Sequence, residues 1–497
     1  MSDASKKEGH VPGGKVARFR ENRVTISPNL KSHAILKNFY GETLKVSVAN
    51  LSQFGARLEV EASDLNLRKN ELISEAAIYV GGEKVYEGAM KVVNERILPD
   101  KRLAFGVILD DDGIDFNKIN AIMEMESGDS DLSLTKRTFD LSEMVDPKFK
   151  QLIADLNTVL QEVRVKLLNE EAKIRSSHTD QKYIESLFEH AISIAFSVYG
   201  PEITKVFSQF QNLATSYRGD EATIHKKYFR INFHPLILGS PFANRSFSKP
   251  LGYAGDFGLM VMLYEYKDLG GNLFEKFFHR FCCNQIVTLA NKNRVEYLAK
   301  LLKERYEAAK ALPLEKFHIT TIACGPAREI QLFLSDLADD HGPQIAVTLI
   351  DNEALALDHA RSRIRKIAGL RNIEINIFQE DAVLGIIKGK DFVKEINGSD
   401  VIVCAGLFDY LSDRVSTRLI EKIHGSLSKN GQLIIGNVSK ANPDRFSMEY
   451  GLDWHLILRS KEDMLTLVAP EVQMQCKNIE VVAESLGINL FLRITKA

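Results

Sequence analysis

Short apolar runs with β-forming residues occupy the N-terminal part of the chain, at 44–48, 56–60, 76–80 and 103–109. Gly, Asn, Asp and Ser interrupt them at roughly hairpin spacing, which predicts a small antiparallel β barrel or sandwich. From about residue 140 the period lengthens. Phe149, Leu152, Ile153, Leu156, Leu160, Val163 and Leu167 recur every three or four positions, and Ile184, Leu187, Phe188, Ala191, Ile192, Ala195 and Phe196 repeat the pattern. Both read as core-facing helices; the alternative is a seam, and with it a homodimer. Residues 233–250, rich in Pro, Gly and Ser, read as loops between helices. In the last third, apolar runs at 317–324, 345–350, 373–378, 401–404 and 432–435 alternate with helical stretches such as 354–367 and 417–427. That alternation predicts a parallel sheet covered on both faces, with two further strands near 479–482 and 490–494.

A chain of 497 residues is too long for one core. Hydrophobic residues are 45% and charged residues 26%, and a formal charge of -2 argues against a generally basic nucleic-acid binder. No apolar run approaches the length of a membrane span, and the start, MSDASKKEGHVPGGK, lacks the apolar core of a secretory signal. Five cysteines with no CxxC pair argue against a disulfide framework or zinc cluster and fit a reducing cytoplasm. Residues 110–131 carry eight acidic residues and one Lys, as a solvated linker does. The expected division is a flexible terminus at 1–14, a sensor at 15–115, an acidic linker at 116–139, a helical connector or lid at 140–310 and a catalytic domain at 311–497.

The run 320–334, TTIACGPAREIQLFL, passes from an apolar strand through a small-residue turn into a helix. Such a turn lets the backbone approach a ligand and aims helix N–H groups at it. Asp351, 26 residues after Gly325, ends the next strand, where a carboxylate accepts both hydroxyls of a ribose. Asp381 and Ala382 follow the third strand, where a carboxylate accepts from an adenine amino group. With ACGPARE, LIDNE, FQEDA and DVIVCAGLFDYLSD in this order, residues 310–497 resemble a class I S-adenosylmethionine-dependent methyltransferase with a Rossmann-like α/β fold. The resemblance implies S-adenosylmethionine as cofactor, with Ala323, Gly325 and Ala327 as the glycine-rich turn, Asp351 on ribose and Asp381 on adenine. Ala382 and Cys404, at the ends of their strands, join that set. Thr321 stands where the family usually has an acidic residue, and two turn glycines are alanines.

Cys404-Ala405-Gly406-Leu407-Phe408-Asp409-Tyr410 lacks the Asn/Asp-Pro-Pro-aromatic motif of enzymes that methylate base amino groups, so nucleic acid is not the expected substrate. Gly252-Tyr253-Ala254-Gly255-Asp256 and the stretch 442–460, with Trp454 and His455, look built for function. Together with NRVEYL at 293–298 they resemble a bacterial group that makes 3-hydroxy fatty-acid methyl esters. Tyr253, Asp256 and His455 are the candidate catalytic residues; a turn and helix cap for the first two, and a structural or exposed histidine for the third, are the plainer alternatives. Arg445 and Arg459 offer a bidentate carboxylate clamp or simply a charged surface.

Lys15, Arg18, Arg20 and Arg23 precede the first strand, and Asn50-Leu51-Ser52-Gln53-Phe54-Gly55 lies between two others. Guanidinium groups bind phosphates in a fork and donate to guanine acceptors, while Ser and Asn on a turn add short hydrogen bonds. Arm and turn resemble the PilZ domain, a cyclic di-GMP receptor. That resemblance implies a β barrel binding cyclic di-GMP through Arg18, Arg20, Arg23, Asn50, Ser52 and Gly55. Asn50, Ser52 and Gly55 match its turn motif fully; the arginine spacing departs from RxxxR.

The expected molecule is multidomain: a PilZ-like antiparallel β barrel, an α-helical middle region and an α/β methyltransferase. Its expected activity is cyclic di-GMP-responsive methyl transfer to a small, lipid-like carboxylate or hydroxyl, with no metal. The alternative is a non-catalytic cyclic di-GMP signalling protein whose last domain only binds a nucleoside.

Overall fold

The computed structural model describes residues 24–25, 32–37, 43–52, 55–60, 71–97, 102–109, 114, 143–265, 268–337, 342–369 and 373–497. Residues 1–14, the acidic stretch 116–139, and Arg18, Arg20 and Arg23 lie outside the described residues. The chain divides into two compact units, Met1–Asp140 and Leu141–Ala497.

In the first unit β1 (Val24–Thr25), β2 (Ser32–Lys37), β3 (Thr43–Ser52), β4 (Gly55–Val60), β5 (Leu72–Val80), β6 (Glu83–Ile97) and β7 (Leu103–Leu109) pair antiparallel throughout. The order β3-β2-β5-β6-β7-β4 closes through β3–β4 into a six-stranded barrel, so those strands present no free edge. Period-two alternation is the cause: Ala56, Leu58 and Val60 are buried while Gly55, Arg57 and Glu59 between them are not. Gly81 and Gly82, at φ 60° and 83°, form the two-residue turn between β5 and β6. Positive φ at both positions suits the strands' twist.

The second unit begins with helices α1 (Pro147–Ser177), α2 (Gln181–Ala214), α3 (Gly219–Ile237), α4 (Pro241–Ser248), α5 (Phe257–Glu265), α6 (Leu273–Cys283) and α7 (Ile286–Lys310). Asp146 caps α1, accepting from Lys148 N–H at 2.8 Å, and Pro147 follows, where its missing N–H costs nothing. Asp146 is also fastened to α3. Its backbone N–H donates to His225 Nε2 at 3.1 Å, and Tyr217 donates its hydroxyl to the Asp146 carboxylate at 2.9 Å. Since Nε2 accepts, the His225 proton resides on Nδ1, 2.7 Å from the Glu221 carbonyl.

Residues 233–250 are mostly helical, contrary to the loop expected there. α3 runs through Pro235, and Pro241 occupies the first turn of α4 behind the cap residue Ser240. The helices bury Phe149, Phe210, Phe229 and Phe233 in one cluster with Met448, Tyr450 and Trp454 from the C-terminal part. Among the described residues, no helix is long and apolar enough to cross a membrane.

The sheet of this unit contains β8 (Lys316–Ile322), β9 (Gln344–Asp351), β10 (Ile373–Gln379), β11 (Ser399–Cys404), β12 (Leu427–Val438), β13 (Cys476–Ala483) and β14 (Asn489–Lys496). Their order is β10-β9-β8-β11-β12-β14-β13, the first five parallel and β14 antiparallel to both neighbours. Helices α8 (Arg328–Ser335), α9 (Ala354–Ala368) and α10 (Ala382–Lys388) follow β8, β9 and β10. β9 is buried at every position after Gln344, as a parallel strand covered on both faces must be. The strand order reverses between β8 and β11. A crevice forms beyond the carboxyl ends of strands at such a point, and ligands of open α/β sheets bind there.

Candidate cofactor and acceptor site

The turn from β8 into α8 takes left-handed backbone at alternate residues: Ala323 φ 51°, Gly325 φ 50° and Ala327 φ 48°. Glycine adopts this region freely; alanine resists it by about 1–2 kcal/mol, so two positions hold strain. Asp351, at the end of β9, accepts from Gly325 N–H at 2.8 Å and from Glu353 N–H at 3.0 Å. Burial raises its pKa and the backbone N–H groups of Glu353, Gly325 and Asn352 oppose that rise. Each oxygen keeps a further lone pair for a ligand hydroxyl. Space is available: a Cβ on Gly325 would meet only Phe257 Cβ, at 3.9 Å.

Asp381 follows β10 and caps α10, accepting from Leu384 N–H at 3.0 Å, and Ala382 is buried beside it. Cys404 ends β11 fully buried in the core cluster with Ile322 and Ile435, and burial pushes its thiol pKa up. What Cys404 offers at the strand end is its backbone. Gly325, Asp351, Asp381 and Cys404 thus occupy the carboxyl ends of four adjacent parallel strands.

The segment 252–257 is bound to this region by side chains from elsewhere. Tyr410 donates its hydroxyl to the Ala254 carbonyl at 2.8 Å, and Trp454 Nε1 donates to that hydroxyl at 3.0 Å. Gly255, at φ 77°, lies so close to the indole that a Cβ would come 2.6 Å from Trp454 Cζ2. Burial raises the pKa of the half-buried Tyr253 phenol, and the charges of Asp351, Glu353 and Asp256 raise it further. Asp256 is 1% exposed. Its Oδ1 accepts from Arg245 Nε at 2.7 Å and Leu259 N–H at 2.8 Å, while buried Oδ2 has no partner among the described residues.

His455 keeps different company. Its Nε2 lies 3.2 Å from Lys226 Nζ and 3.4 Å from Asp453 Oδ1, and the ring is exposed. Asp453 also accepts from Arg230 at 2.6 Å and Lys249 at 2.8 Å. These partners hold its carboxyl well below the usual range although burial opposes them. Neither Tyr253 nor Asp256 is among the polar partners of His455.

Several ionic groups are buried, among them Arg459, for which the sequence offers a carboxylate clamp or a charged surface. Arg459 is 2% exposed and gives all five N–H donors to the protein, on the carbonyls of Phe408 and Leu411, Asn437 Oδ1 and Asp413 Oδ1. It is neither a surface arginine nor a substrate clamp. Arg445 is spent on Glu449 at 2.7 Å. Burial pushes the Asp409 carboxyl up to about 7, against the Val438 N–H bond and the charges of Arg294 and Arg459. Arg294 and Glu329 are also buried, at 8% and 5% exposure.

In the barrel, Ser52 and Gly55 are directly paired where β3 turns into β4, and Asn50 stands opposite Arg57. Asn50 Oδ1 and Arg57 Nε are buried without a partner among the described residues. β1 pairs Thr25 with Asn50 and Val24 with Leu51. Among the described residues no cluster of His, Cys, Asp and Glu is suited to a metal ion.

No family model matches the chain, and no curated protein matches it. Several solved structures share part of its course. A CurJ carbon methyltransferase is 14% identical, covering 74% of this chain and 98% of its own at a TM-score of 0.34. Magnesium protoporphyrin IX methyltransferase from Synechocystis PCC 6803, crystallised with S-adenosylhomocysteine, is 10% identical, covering 43% and 88% at 0.31. A possible exported protein from Bordetella parapertussis is 15% identical, covering 51% and 86% at 0.37. Likeness this remote carries no chemistry with it.

Proposed function

We propose that the chain is an S-adenosylmethionine-dependent methyltransferase acting on a small, lipid-like carboxylate or hydroxyl, and that cyclic di-GMP regulates it. The observation that carries the first part is the Asp351 carboxylate, fixed by Gly325 N–H beside a left-handed turn at the reversal of the sheet. Asp351 holds the ribose hydroxyls, Asp381 and Ala382 the adenine, and the backbone from Ala323 to Ala327 approaches the rest. The cofactor supplies a methyl group on a sulfonium.

Tyr253 and Asp256 position the acceptor. A carboxylate acceptor is already a nucleophile at pH 7 and needs orientation and exclusion of water. A hydroxyl acceptor needs its proton taken, and Asp256 Oδ2, unpaired and buried, is the oxygen available for it. His455 receives no acid–base role, because its partners are Lys226 and Asp453. A 3-hydroxy fatty acid presents both acceptor groups, in keeping with the resemblance of 252–256 and 442–460.

Calorimetry with S-adenosylmethionine and S-adenosylhomocysteine, then a methyl-transfer screen on fatty acids, tests the reading. Asp351→Ala should weaken both nucleosides about 10- to 150-fold, the loss of a hydrogen bond to a charged group at about 1.5–3 kcal/mol. Unchanged affinity in a folded variant would remove Asp351 from the site. Binding without transfer to any acceptor would leave a nucleoside-binding signalling protein.

For the regulatory part, support comes from the Asn50–Ser52–Gly55 turn, the orphan Asn50 oxygen and the registry of Thr25 against Asn50, two residues beyond Arg23. Cyclic di-GMP should bind, and Arg20→Ala with Arg23→Ala should abolish that binding while basal transfer persists. If the sites are coupled, S-adenosylmethionine changes cyclic di-GMP affinity by the same factor as the reverse. Titration decides: no binding at tens of micromolar assigns the barrel a scaffold role.

A further inference from the structure

One carboxylate of the second unit gathers more positive charge than it balances. Asp453 lies 2.6 Å from Arg230 Nη2, 2.8 Å from Lys249 Nζ and 3.6 Å from Lys226 Nζ. Among the described residues, these three cations have no other acidic partner within 4.0 Å. Glu449, the nearest further acid in that stretch, is held by Arg445 at 2.7 Å. Three cations against one carboxylate leave two positive charges over. Lys226 registers the crowding: burial lowers its pKa, and the Arg230 charge lowers it further against the pull of Asp453 and Glu449.

Donors are left over as well. Arg230 uses Nε on the Tyr450 carbonyl and Nη2 on Asp453 and the Glu449 carbonyl, which leaves Nη1. Lys249 gives one N–H to Asp453, and Lys226 gives one to His455 Nε2 at 3.2 Å. An ammonium only donates, so that ring nitrogen accepts, and the His455 proton lies on Nδ1 as a further donor. The group is open to solvent, with His455 at 53% exposure and the two lysines at 25% and 20%. Lys249 and Asp453 are also held at φ 49° and 51°, a left-handed backbone that disfavours any residue with a Cβ. The cluster borders the proposed acceptor loop: Lys249 closely precedes Tyr253, and Asp453 precedes Trp454, whose indole Gly255 approaches.

We propose that Lys226, Arg230, Lys249 and His455 form a binding site for a phosphate group, with Asp453 keeping the cations in place beside it. A phosphomonoester carries a charge of about −1.5 to −2 at pH 7 and three acceptor oxygens, which matches the excess better than a second carboxylate does. Arginine contributes a planar fork and each lysine a point charge. Phosphate at the far end of a lipid-like acceptor and free phosphate offer the site the same chemistry. Only the first of these sources rests on the methyltransferase reading.

Trp454 is the chain's one tryptophan, so its fluorescence reports on the neighbouring cluster. Inorganic phosphate titrated into the full chain at constant ionic strength should change that signal saturably, and acetate should bind more weakly. Lys249→Met should weaken phosphate about 10- to 150-fold, the range for one charged hydrogen bond. Lys226→Met should act in the same direction and replaces it if that variant does not fold. Asp453→Asn should instead tighten phosphate about 10-fold, because it removes a like charge from the site. A cluster that only braces the fold would gain no affinity from that change. Absence of a saturable wild-type response, or equal affinity in the wild type and both lysine variants, would overturn the site. Octyl phosphate separates the two sources. Binding about 10-fold tighter than inorganic phosphate assigns the site to a lipid-like acceptor, and equal binding assigns it to free phosphate. No nucleoside enters these titrations, so a chain that binds phosphate but not S-adenosylhomocysteine would defeat the methyltransferase reading alone.

Discussion

Replacing Arg459 with methionine should cost the second unit about 2–4 kcal/mol, since one buried neutral acceptor loses its donor at about 1–3 kcal/mol and two carbonyls lose one of theirs. The side chain is 2% exposed, and the carbonyls of Phe408 and Leu411 and the Asn437 amide oxygen all accept from it. Methionine fills much of the volume but donates nothing, so Asn437 Oδ1 loses its donor while the Phe408 and Leu411 carbonyls keep only the Leu411 N–H and the Ser416 hydroxyl. The Asp413 carboxylate is the control. Its side chain is 74% exposed, so Asp413→Asn should lose less than about 1 kcal/mol even though it touches the same guanidinium. Urea unfolding of the two variants compares them directly. Equal midpoint shifts would mean that Arg459 acts through the ion pair and not as the tie between the β11 exit loop and β12.

On the proposed reading, Gly255→Ala should impair methyl transfer far more than it impairs folding. Two costs meet at this position. Left-handed backbone disfavours alanine by about 1–2 kcal/mol, and the new methyl would sit 2.6 Å from Trp454 Cζ2 and 3.1 Å from the Tyr410 hydroxyl. Those are the groups that hold the Ala254 carbonyl, so the collision moves the segment bearing Tyr253 and Asp256. A displacement of about 1 Å in positioning groups is worth about 100-fold in rate. Gly252→Ala separates the two costs, because Gly252 has φ 86° with nothing within 4 Å of its Cβ. It should lose stability by the backbone term alone and keep most of its turnover. Similar turnover in the two variants would retire the indole as the device that sets the loop.

Backbone-level features were legible in the sequence because each leaves a periodic or compositional trace. The barrel strands alternate, the parallel strands are uninterrupted, and Ala323–Ala327 followed by Asp351 marks the crevice. Residues 233–250 depart from the loop that their Pro, Gly and Ser content predicts for a physical reason: Ser240-Pro241 is also a helix start. Side-chain constellations left less trace. Tyr410, Trp454 and Ala254 meet across separations of 44 and 156 residues, and no period encodes such a meeting. Nothing in the sequence marks Arg294, Glu329 or Asp409 as buried, and Arg459 reads as a carboxylate clamp or a surface charge, since burial of a single ionic residue belongs to packing and not to pattern. His455 shows the reverse. A histidine beside the chain's one tryptophan invites a chemical role, yet the fold spends it on the Asp453 cluster.

The fastening of Asp146 sets where mechanical load enters the second unit. Chain arriving from upstream meets a backbone bond to His225 before it meets the first turn of α1. Asp146 is thus bonded at once to the first turn of α1 and to α3. Five residues beyond His225, Arg230 grips the Tyr450 carbonyl at 2.8 Å and the Asp453 carboxylate, next in sequence to Trp454. α3 therefore joins the start of α1 to the Tyr450–Asp453 stretch within the second unit, so the cap of one helix and the support of Trp454 share a single rigid element.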